Sequence, residues 1–159
     1  MEYHQIEPVY NKHSKILILG SFPSLKSRET GFFYGHPQNR FWKVIASLFD
    51  ENVPVTVAEK KEMLLRNHIA LWDVVASCEI TGSSDSSIRS VKVNDIKKLI
   101  DETSISRIFV NGRTAMKLYQ KYLEEQLGIK AAVLPSTSPA NAAYSLERLL
   151  EEWRIIKEN

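Results

Sequence analysis

The residues best suited to chemistry cluster between Gly20 and Trp42, in the segment GSFPSLKSRETGFFYGHPQNRFW. Gly20 directly follows an apolar run, where a missing side chain lets a ligand or another backbone come close. Pro23 fixes the turn after it. Further along, Phe32, Phe33 and Tyr34 lie in a loop between two glycines. They cannot all join the core, and a flat ring at the edge of a cleft can stack on a nucleobase with about 1–3 kcal/mol per base. The segment therefore indicates a site for a flat heterocyclic ligand.

The second half of this segment resembles the start of a helix. Pro37 suits the first turn of a helix, which places His36 and Asn39 near exposed N–H groups that favour negative charge. Arg40 follows and is suited to contact a phosphate. Two structural roles compete with chemistry: Asn39 as a cap of the helix, and His36 as a partner of the backbone. The aromatic pair Phe41–Trp42 is expected in the core.

Four short apolar runs predict the strands that position these residues. They are continuous rather than alternating, as expected for strands that are covered on both faces. The runs are Ile16–Leu19, Ile69–Val75, Arg107–Val110 and Ala131–Leu134.

Helical periodicity separates the apolar runs, and strands that alternate with helices predict a parallel sheet. We therefore predict an α/β fold: a three-layer α/β/α sandwich around a central four-stranded parallel sheet, with right-handed crossovers. One domain over residues 1–159 is expected. The helical stretches are 41–49, 96–100, 116–123 and 146–156.

In parallel sheets of this kind, ligands bind beyond the carboxyl ends of the strands. The four predicted ends lead into loops that are rich in glycine, proline and small polar residues, and these loops should meet at one edge. Ordinary loop composition is the alternative explanation. The loops are Gly20–Ser24, Thr81–Ser87 (which the second strand reaches through Ser77-Cys78-Glu79), Asn111–Thr114 and Pro135–Asn141.

Composition narrows the class of protein. The net charge of +2 permits nucleic-acid binding without requiring it, because a few phosphate contacts can position a small enzyme. The single cysteine, Cys78, cannot form an internal disulfide, and no Cys/His pattern indicates a metal. We expect Cys78 to be a small buried residue. For the protein we expect a cytoplasmic location, no cofactor and no membrane segment.

Several motifs resemble the uracil-DNA glycosylase superfamily, most closely its hypoxanthine-DNA glycosylase branch and next its mismatch-specific uracil/thymine branch. GSFPS followed by FFYGHPQNRFWKVI resembles the first superfamily motif, and LPSTSPAN resembles the second. NGRTA also fits, and ALWDVVASCEITGSSDSSI resembles the hypoxanthine branch. The resemblance runs through nearly the whole chain.

Two departures bear on the mechanism. Phe22 stands where mismatch-specific members place a water-positioning asparagine, and Leu134 aligns with the catalytic histidine of the classical uracil enzymes. The hypoxanthine branch is understood to use instead the asparagine of the HPxNxFW string, which is Asn39 here. Iron–sulfur branches need four cysteines, and this chain has one.

The resemblance implies a monofunctional DNA glycosylase of base excision repair that hydrolyses the N-glycosidic bond of a flipped deaminated base, foremost hypoxanthine. It is expected to act as a monomer on double-stranded DNA, with single-stranded DNA as a further substrate form. The expected site comprises the catalytic residues Asn39 and His36, the substrate-binding residues Gly20, Ser21, Phe22, Pro23, Tyr34 and Asn111, and the DNA-binding residues Arg40, Ser136, Thr137, Ser138 and Asn141.

Alternatives stay open at this point. The chain could be a uracil or mismatch-specific glycosylase, a non-catalytic nucleic-acid-binding relative, or a small-molecule hydrolase on the same sheet. The hydrolase reading lacks a nucleophile, because no GxSxG elbow is present. Asn111 either recognises a base edge or fixes a turn, and Asp73 either binds a ligand or, as we favour, anchors a loop.

Overall fold

The computed structural model describes residues 2–3, 6–23, 25–79 and 89–158. The predicted loop at 81–87 lies outside these residues. The elements in chain order are β1 (Glu2–Tyr3), β2 (Ile16–Gly20), α1 (Leu25–Thr30), α2 (Phe41–Leu48), α3 (Val57–Arg66), β3 (Ile69–Asp73), β4 (Val75–Glu79), β5 (Arg89–Val93), α4 (Ile96–Asp101), β6 (Arg107–Asn111), α5 (Arg113–Tyr122), α6 (Glu124–Leu127), β7 (Ala131–Leu134), α7 (Leu146–Trp153) and a 3₁₀ helix (Arg154–Lys157).

The central sheet has four parallel strands in the order β3-β2-β6-β7. This arrangement confirms the predicted parallel sheet. β7 has the predicted bounds, whereas β2 and β6 each extend one residue further, to Gly20 and Asn111. The register pairs Gly20 with Asp73 and Asn111 with Leu134, so the carboxyl ends of all four strands lie at one edge.

The predicted strand Ile69–Val75 is wrong in one respect, because it is two strands that belong to different sheets. β3 ends at Asp73, and β4 pairs antiparallel with β1 and β5 in a second, three-stranded sheet. The Asn94 side chain donates to the carbonyl oxygens of Asp73 and Val75 at 2.8 and 3.3 Å, and thereby holds the chain at the break. The apolar run in the sequence does not reveal this break, because the amide that holds it belongs to Asn94, which is distant along the chain.

Alternate residues of β2 enter two different cores, as the pleat of a strand requires. Ile16 and Ile18 pack in a cluster with residues of α2, α3 and α7, whereas Leu17 and Leu19 pack in a cluster with residues of α4 and α5. Helices therefore cover both faces of the sheet, which confirms the three-layer sandwich. Cys78 is fully buried, as expected. None of the helices in the described part of the chain is long and apolar enough to cross a membrane.

The last helix positions the loop that follows β7. The helical stripe predicted to Ile156 is an α-helix only to Trp153 and continues as the 3₁₀ helix. Ser145 caps its start by accepting from the N–H of Arg148. The Trp153 indole N–H donates to the carbonyl oxygen of Pro135 at 2.9 Å, so the buried helix end also fixes the first residue of that loop.

Candidate active site

A cavity of about 130 Å³ lies at the carboxyl ends of the strands of the central sheet. A buried water needs only about 10–15 Å³, so this strand-end cavity is larger than a solvent site. Ten of the thirteen site residues predicted from sequence contribute to its walls, together with three that were not in that set. The walls comprise Gly20, Ser21, Phe22, Pro23, Ser27, Phe33, Tyr34, Asn39, Asp73, Asn111, Ser136, Thr137 and Ser138.

Asn39 borders the cavity and lies two residues before the start of α2. Its Oδ1 accepts from the backbone N–H of Phe41 at 2.9 Å, and its own N–H donates to the carbonyl oxygen of His36. A side-chain carbonyl oxygen has two lone pairs, so the bond to Phe41 leaves one that can accept from a water. Arg40 is the N-cap residue of α2, so Asn39 binds the first N–H of the helix from one residue further out. This bond and the catalytic role proposed from sequence are compatible in one side chain.

Tyr34 is held in an uncommon backbone conformation, with φ of 53°. A residue other than glycine in this region costs on the order of 1–3 kcal/mol, so surrounding contacts must maintain it. The Tyr34 ring stacks on Phe41 with centroids 4.3 Å apart and planes 23° apart. Phe41 and Trp42 are both buried, which confirms their predicted core positions. The core thus fixes one face of the aromatic ring that borders the cavity.

Gly20 and Asp73 meet at one end of the cavity. Asp73 is 4% exposed, and its Oδ1 would lie 2.3 Å from a Cβ added to Gly20. The Tyr34 hydroxyl oxygen would lie 3.1 Å from the same point. A side chain at this position would therefore force the Asp73 carboxylate to move, because the carboxylate occupies the space that a Cβ would need. Asp73 forms part of the cavity wall. This position fits the ligand-binding alternative considered from sequence.

Asn111 fastens the end of β6 to the loop after β7. Its Nδ2 donates to Thr137 Oγ1 at 3.0 Å, and its Oδ1 accepts from the Thr137 backbone N–H at 3.1 Å. Thr137 is fully buried. The predicted phosphate contact by Thr137 thus does not fit this placement, because its side chain is enclosed and already bonded. Asn111 keeps one amide hydrogen and one lone pair for a ligand.

Arg40 is directed into the protein in place of the expected phosphate contact. Its guanidinium donates to the carbonyl oxygens of Ser138 at 3.2 Å, Asn141 at 3.1 Å and Tyr144. Asn141 in turn donates through Nδ2 to the carbonyl oxygen of Ser136 at 3.0 Å. Both side chains therefore shape the loop after β7, and neither contributes to the walls of the strand-end cavity.

Two serine hydroxyls of this loop remain suited to contact DNA. Ser136 Oγ accepts from the Ser138 N–H, and Ser138 Oγ accepts from the Ala140 N–H, each at 3.1 Å. In these bonds the hydroxyl oxygens accept, so the O–H groups are still available to donate. Both residues are half-buried at the mouth of the cavity.

His36 adopts the structural arrangement considered from sequence. Its Nδ1 accepts from the backbone N–H of Gln38 at 3.1 Å, so in the neutral ring the proton lies on Nε2. The half-buried ring does not contribute to the walls of the cavity. Any role in chemistry must therefore use the Nε2 side of the ring.

A wider groove of about 510 Å³ adjoins the cavity and shares Asn111, Ser136 and Ser138 with it. The groove extends to Gly112 and Arg113 at the start of α5. Gly112 has φ of 99° and provides no side-chain cap, so backbone N–H groups of the first turn have no side-chain acceptor there. We name this feature the adjoining groove.

Three wall residues were not in the set predicted from sequence: Ser27, Phe33 and Asp73. Ser27 Oγ accepts from the Gly35 N–H at 3.0 Å and so closes the loop that carries Tyr34. Phe33 provides the carbonyl oxygen that accepts from the Trp42 indole N–H at 3.2 Å. Only Asp73 had a usable signal, since a charged residue ends an otherwise buried strand.

Comparisons with known proteins agree with this geometry. The family model for the uracil DNA glycosylase superfamily matches residues 7–158. A curated protein named hypoxanthine DNA glycosylase, from Methanosarcina acetivorans, is 37% identical over 150 residues, with 93% of each chain covered. A protein of the same name from Methanosarcina barkeri is 32% identical over 143 residues, with 89% of each chain covered.

A solved structure extends the agreement to the fold. A solution NMR structure from Methanosarcina acetivorans that carries the name uracil DNA glycosylase has a TM-score of 0.81 and 32% identity. The match covers 98% of this chain and 99% of that chain. The predicted fold and the predicted enzyme class, a DNA glycosylase, are confirmed. The chain belongs to the uracil DNA glycosylase superfamily.

Proposed function

We propose that this enzyme removes hypoxanthine, the product of adenine deamination, from double-stranded DNA in base excision repair. The observation that carries the proposal is the shared cavity: Asn39 and Tyr34 border the same hollow as the turn Gly20–Pro23. The two Methanosarcina relatives that are named hypoxanthine DNA glycosylases support the choice of base. Single-stranded DNA is a further substrate form in this proposal, and the enzyme acts as a monomer.

Binding begins when the target nucleotide turns out of the duplex. The flipped base stacks on the Tyr34 ring, whose opposite face is supported by Phe41 at a centroid distance of 4.3 Å. Because the core already fixes the ring, little conformational entropy is lost when the base binds. The hydroxyls of Ser136 and Ser138 contact phosphates beside the flipped nucleotide or enter the space that it vacates.

The chemical step is hydrolysis of the bond between C1′ of the sugar and N9 of the base. The bonding electrons leave with the base, and its negative charge is stabilised by backbone amides of Ser21 and Phe22 at the base oxygen. A water oxygen then bonds to C1′. One water proton stays on the new hydroxyl, and the other ends on the released base.

Asn39 holds that water through the second lone pair of Oδ1. An amide is a poor base, so its contribution is positional. Position suffices when the glycosidic bond breaks ahead of the attack, because a cation-like sugar needs little help from the nucleophile. His36 is a secondary participant, limited to a hydrogen bond or a proton from Nε2.

The path of the DNA strand follows the adjoining groove. This groove leads from the cavity to the exposed Arg113 and to the N–H groups at the start of α5, which favour anions. Arg113 thus takes the phosphate contact that Arg40 does not make. The fully buried thiol of Cys78 suits a reducing compartment, and we place the enzyme in the cytoplasm.

A lesion panel tests the proposal. Duplexes that hold one deoxyinosine or one deoxyuridine are incubated with the protein, abasic sites are cleaved with alkali, and binding is measured in parallel. We expect strand breaks at deoxyinosine. Breaks at deoxyuridine alone would support the uracil or mismatch-specific alternative. Binding without abasic product at either base would support a non-catalytic relative, and the absence of binding would support a small-molecule hydrolase.

A further inference from the structure

Asp73 presents a buried carboxylate at the end of the strand-end cavity beside Tyr34. Its Oδ1 and the Tyr34 hydroxyl oxygen lie 2.3 and 3.1 Å from the same point next to Gly20. A base that stacks on the Tyr34 ring therefore has the carboxylate near the hydroxyl end of that ring. A carboxylate has about four acceptor positions, so it can accept from a ligand and from the protein at the same time.

The backbone around Asp73 is fixed on two sides. Its carbonyl oxygen accepts from Asn94 Nδ2 at 2.8 Å, and the next N–H, of Val74, donates to the carbonyl oxygen of Gly20 at 2.8 Å. The residue also pairs in register with Gly20 in the central sheet. A group held by two strands keeps its direction when a ligand binds, which selective recognition requires.

A carboxylate distinguishes purines by the hydrogen at N1. Hypoxanthine carries N1–H beside the oxygen at C6, whereas adenine has a bare lone pair at N1 beside an amino group. The carboxylate only accepts hydrogen bonds, so it binds the N1–H of hypoxanthine and repels the N1 lone pair of adenine. A site built to bond a substrate N–H rejects the analogue that lacks it strongly, because its buried polar group is then left unpaired.

We propose that Asp73 accepts the hydrogen bond from N1–H of the flipped base and thereby selects hypoxanthine against adenine, the undamaged base from which it arises. The backbone amides of Ser21 and Phe22 bind the adjacent oxygen, so the two contacts recognise the edge that deamination creates. This inference rests on the proposed removal of hypoxanthine. Asn94 acts as a positioning residue for the carboxylate. Guanine also carries N1–H, so Asp73 does not exclude it.

The test compares duplexes with deoxyinosine and with 1-methyldeoxyinosine, in which a methyl group replaces the recognised hydrogen. Single-turnover excision is measured for the wild type, for Asp73→Ala and for Asp73→Asn. The surface variant Asp101→Asn is the control, because that exposed carboxylate pairs with the exposed Lys97 of the same helix. Circular dichroism of each variant verifies folding.

For the wild type, we expect the methyl group to slow excision about 100-fold or more. Asp73→Ala slows deoxyinosine excision about 10- to 100-fold, the range for losing a hydrogen bond to a charged group. In Asp73→Ala the methyl group slows excision only a few-fold, because the space left by the carboxylate accommodates it. We call this slowing by the methyl group the methyl penalty. Asp73→Asn keeps an acceptor oxygen and loses the charge, so deoxyinosine excision falls about 10-fold. Asp101→Asn matches the wild type on both substrates.

Two results would overturn the inference while the proposed function stands. One is equal wild-type excision of the two bases, which would mean that N1–H is not recognised. The other is an unchanged methyl penalty in Asp73→Ala, which would assign recognition to another group. If Asp73→Ala does not fold, two measurements decide instead. They are the wild-type excision of deoxyinosine against 1-methyldeoxyinosine, and the excision of deoxyinosine by Asp73→Asn. No wild-type excision of hypoxanthine would overturn the proposed function and the inference with it.

Discussion

Replacing Gly20 by alanine tests whether the close approach of Asp73 to β2 determines the shape of the site. The added methyl carbon would lie 2.3 Å from Asp73 Oδ1 and 3.1 Å from the Tyr34 hydroxyl oxygen. Ordinary contact between non-bonded heavy atoms is about 3.5 Å. The carboxylate must therefore move by about 1 Å, and the tyrosine hydroxyl by a few tenths of an ångström.

Both displaced groups border the strand-end cavity, so catalysis should suffer more than folding. Misplacement of catalytic groups by 1 Å can cost about 100-fold in rate, and we expect a loss of that order in single-turnover excision of hypoxanthine. Overpacking should lower the free energy of unfolding by about 1–3 kcal/mol. The protein therefore stays folded at room temperature, which thermal unfolding followed by circular dichroism verifies.

Gly128→Ala is the matched control. Gly128 has φ of 68°, and a Cβ there would meet nothing within 4 Å. The substitution costs about 1 kcal/mol of backbone strain. Gly128 lies at the end of α6 and does not contribute to the walls of the strand-end cavity. Excision should therefore be unchanged. Excision of hypoxanthine by Gly20→Ala at the wild-type rate would refute the reasoning. An equal loss of excision in Gly20→Ala and Gly128→Ala would refute it as well.

Three further predictions concern the supports of the site and the stability of the fold. Asn111→Ala removes two hydrogen bonds to buried Thr137, so chemical denaturation should show a loss of about 2 kcal/mol. Arg40→Met should lower the melting temperature without changing the salt dependence of DNA binding. Arg113→Ala should instead keep the stability and reduce the slope of log affinity against log salt by about one. If Arg40→Met reduced this slope and Arg113→Ala left it unchanged, Arg40 rather than Arg113 would contact phosphate. Burial raises the pKa of Tyr119 from 10.0 to about 12. The unfolded state therefore ionises first, and stability should fall as pH rises through that interval, a loss that Tyr119→Phe removes.

The sheet and the position of the site follow from simple patterns in the sequence. Continuous apolar runs mark β2, β6 and β7 because strands covered on both faces have no solvent side. The strand-end rule then places Gly20, Asn111 and the loop after β7 at one edge, since parallel strands share their direction. This geometry brings ten of the expected residues to one cavity.

The use of individual polar side chains does not follow from the same patterns. Arg40 has the position of a phosphate ligand in sequence, yet its partners are carbonyl groups about 100 residues away. The break after Asp73 likewise depends on Asn94, which is distant in sequence and lies outside any motif. Hydrogen bonds between remote segments arise only when the backbone has folded, so residue spacing does not encode them.

The most direct measurement concerns the two roles of Asn39. Single-turnover excision of hypoxanthine is compared among the wild type, Asn39→Ala and Asn39→Ser, with DNA binding measured in parallel. Alanine removes both the acceptor for the Phe41 N–H and the water-binding carbonyl, whereas a serine hydroxyl can accept from that N–H but does not reach as far. We predict that both variants bind DNA and lose excision by about 100-fold or more, the cost of misplacing a reacting group. Serine alone should retain wild-type stability. Near wild-type excision by Asn39→Ser would contradict the account, because the hydrogen bond to the Phe41 N–H would then be the only function of the side chain.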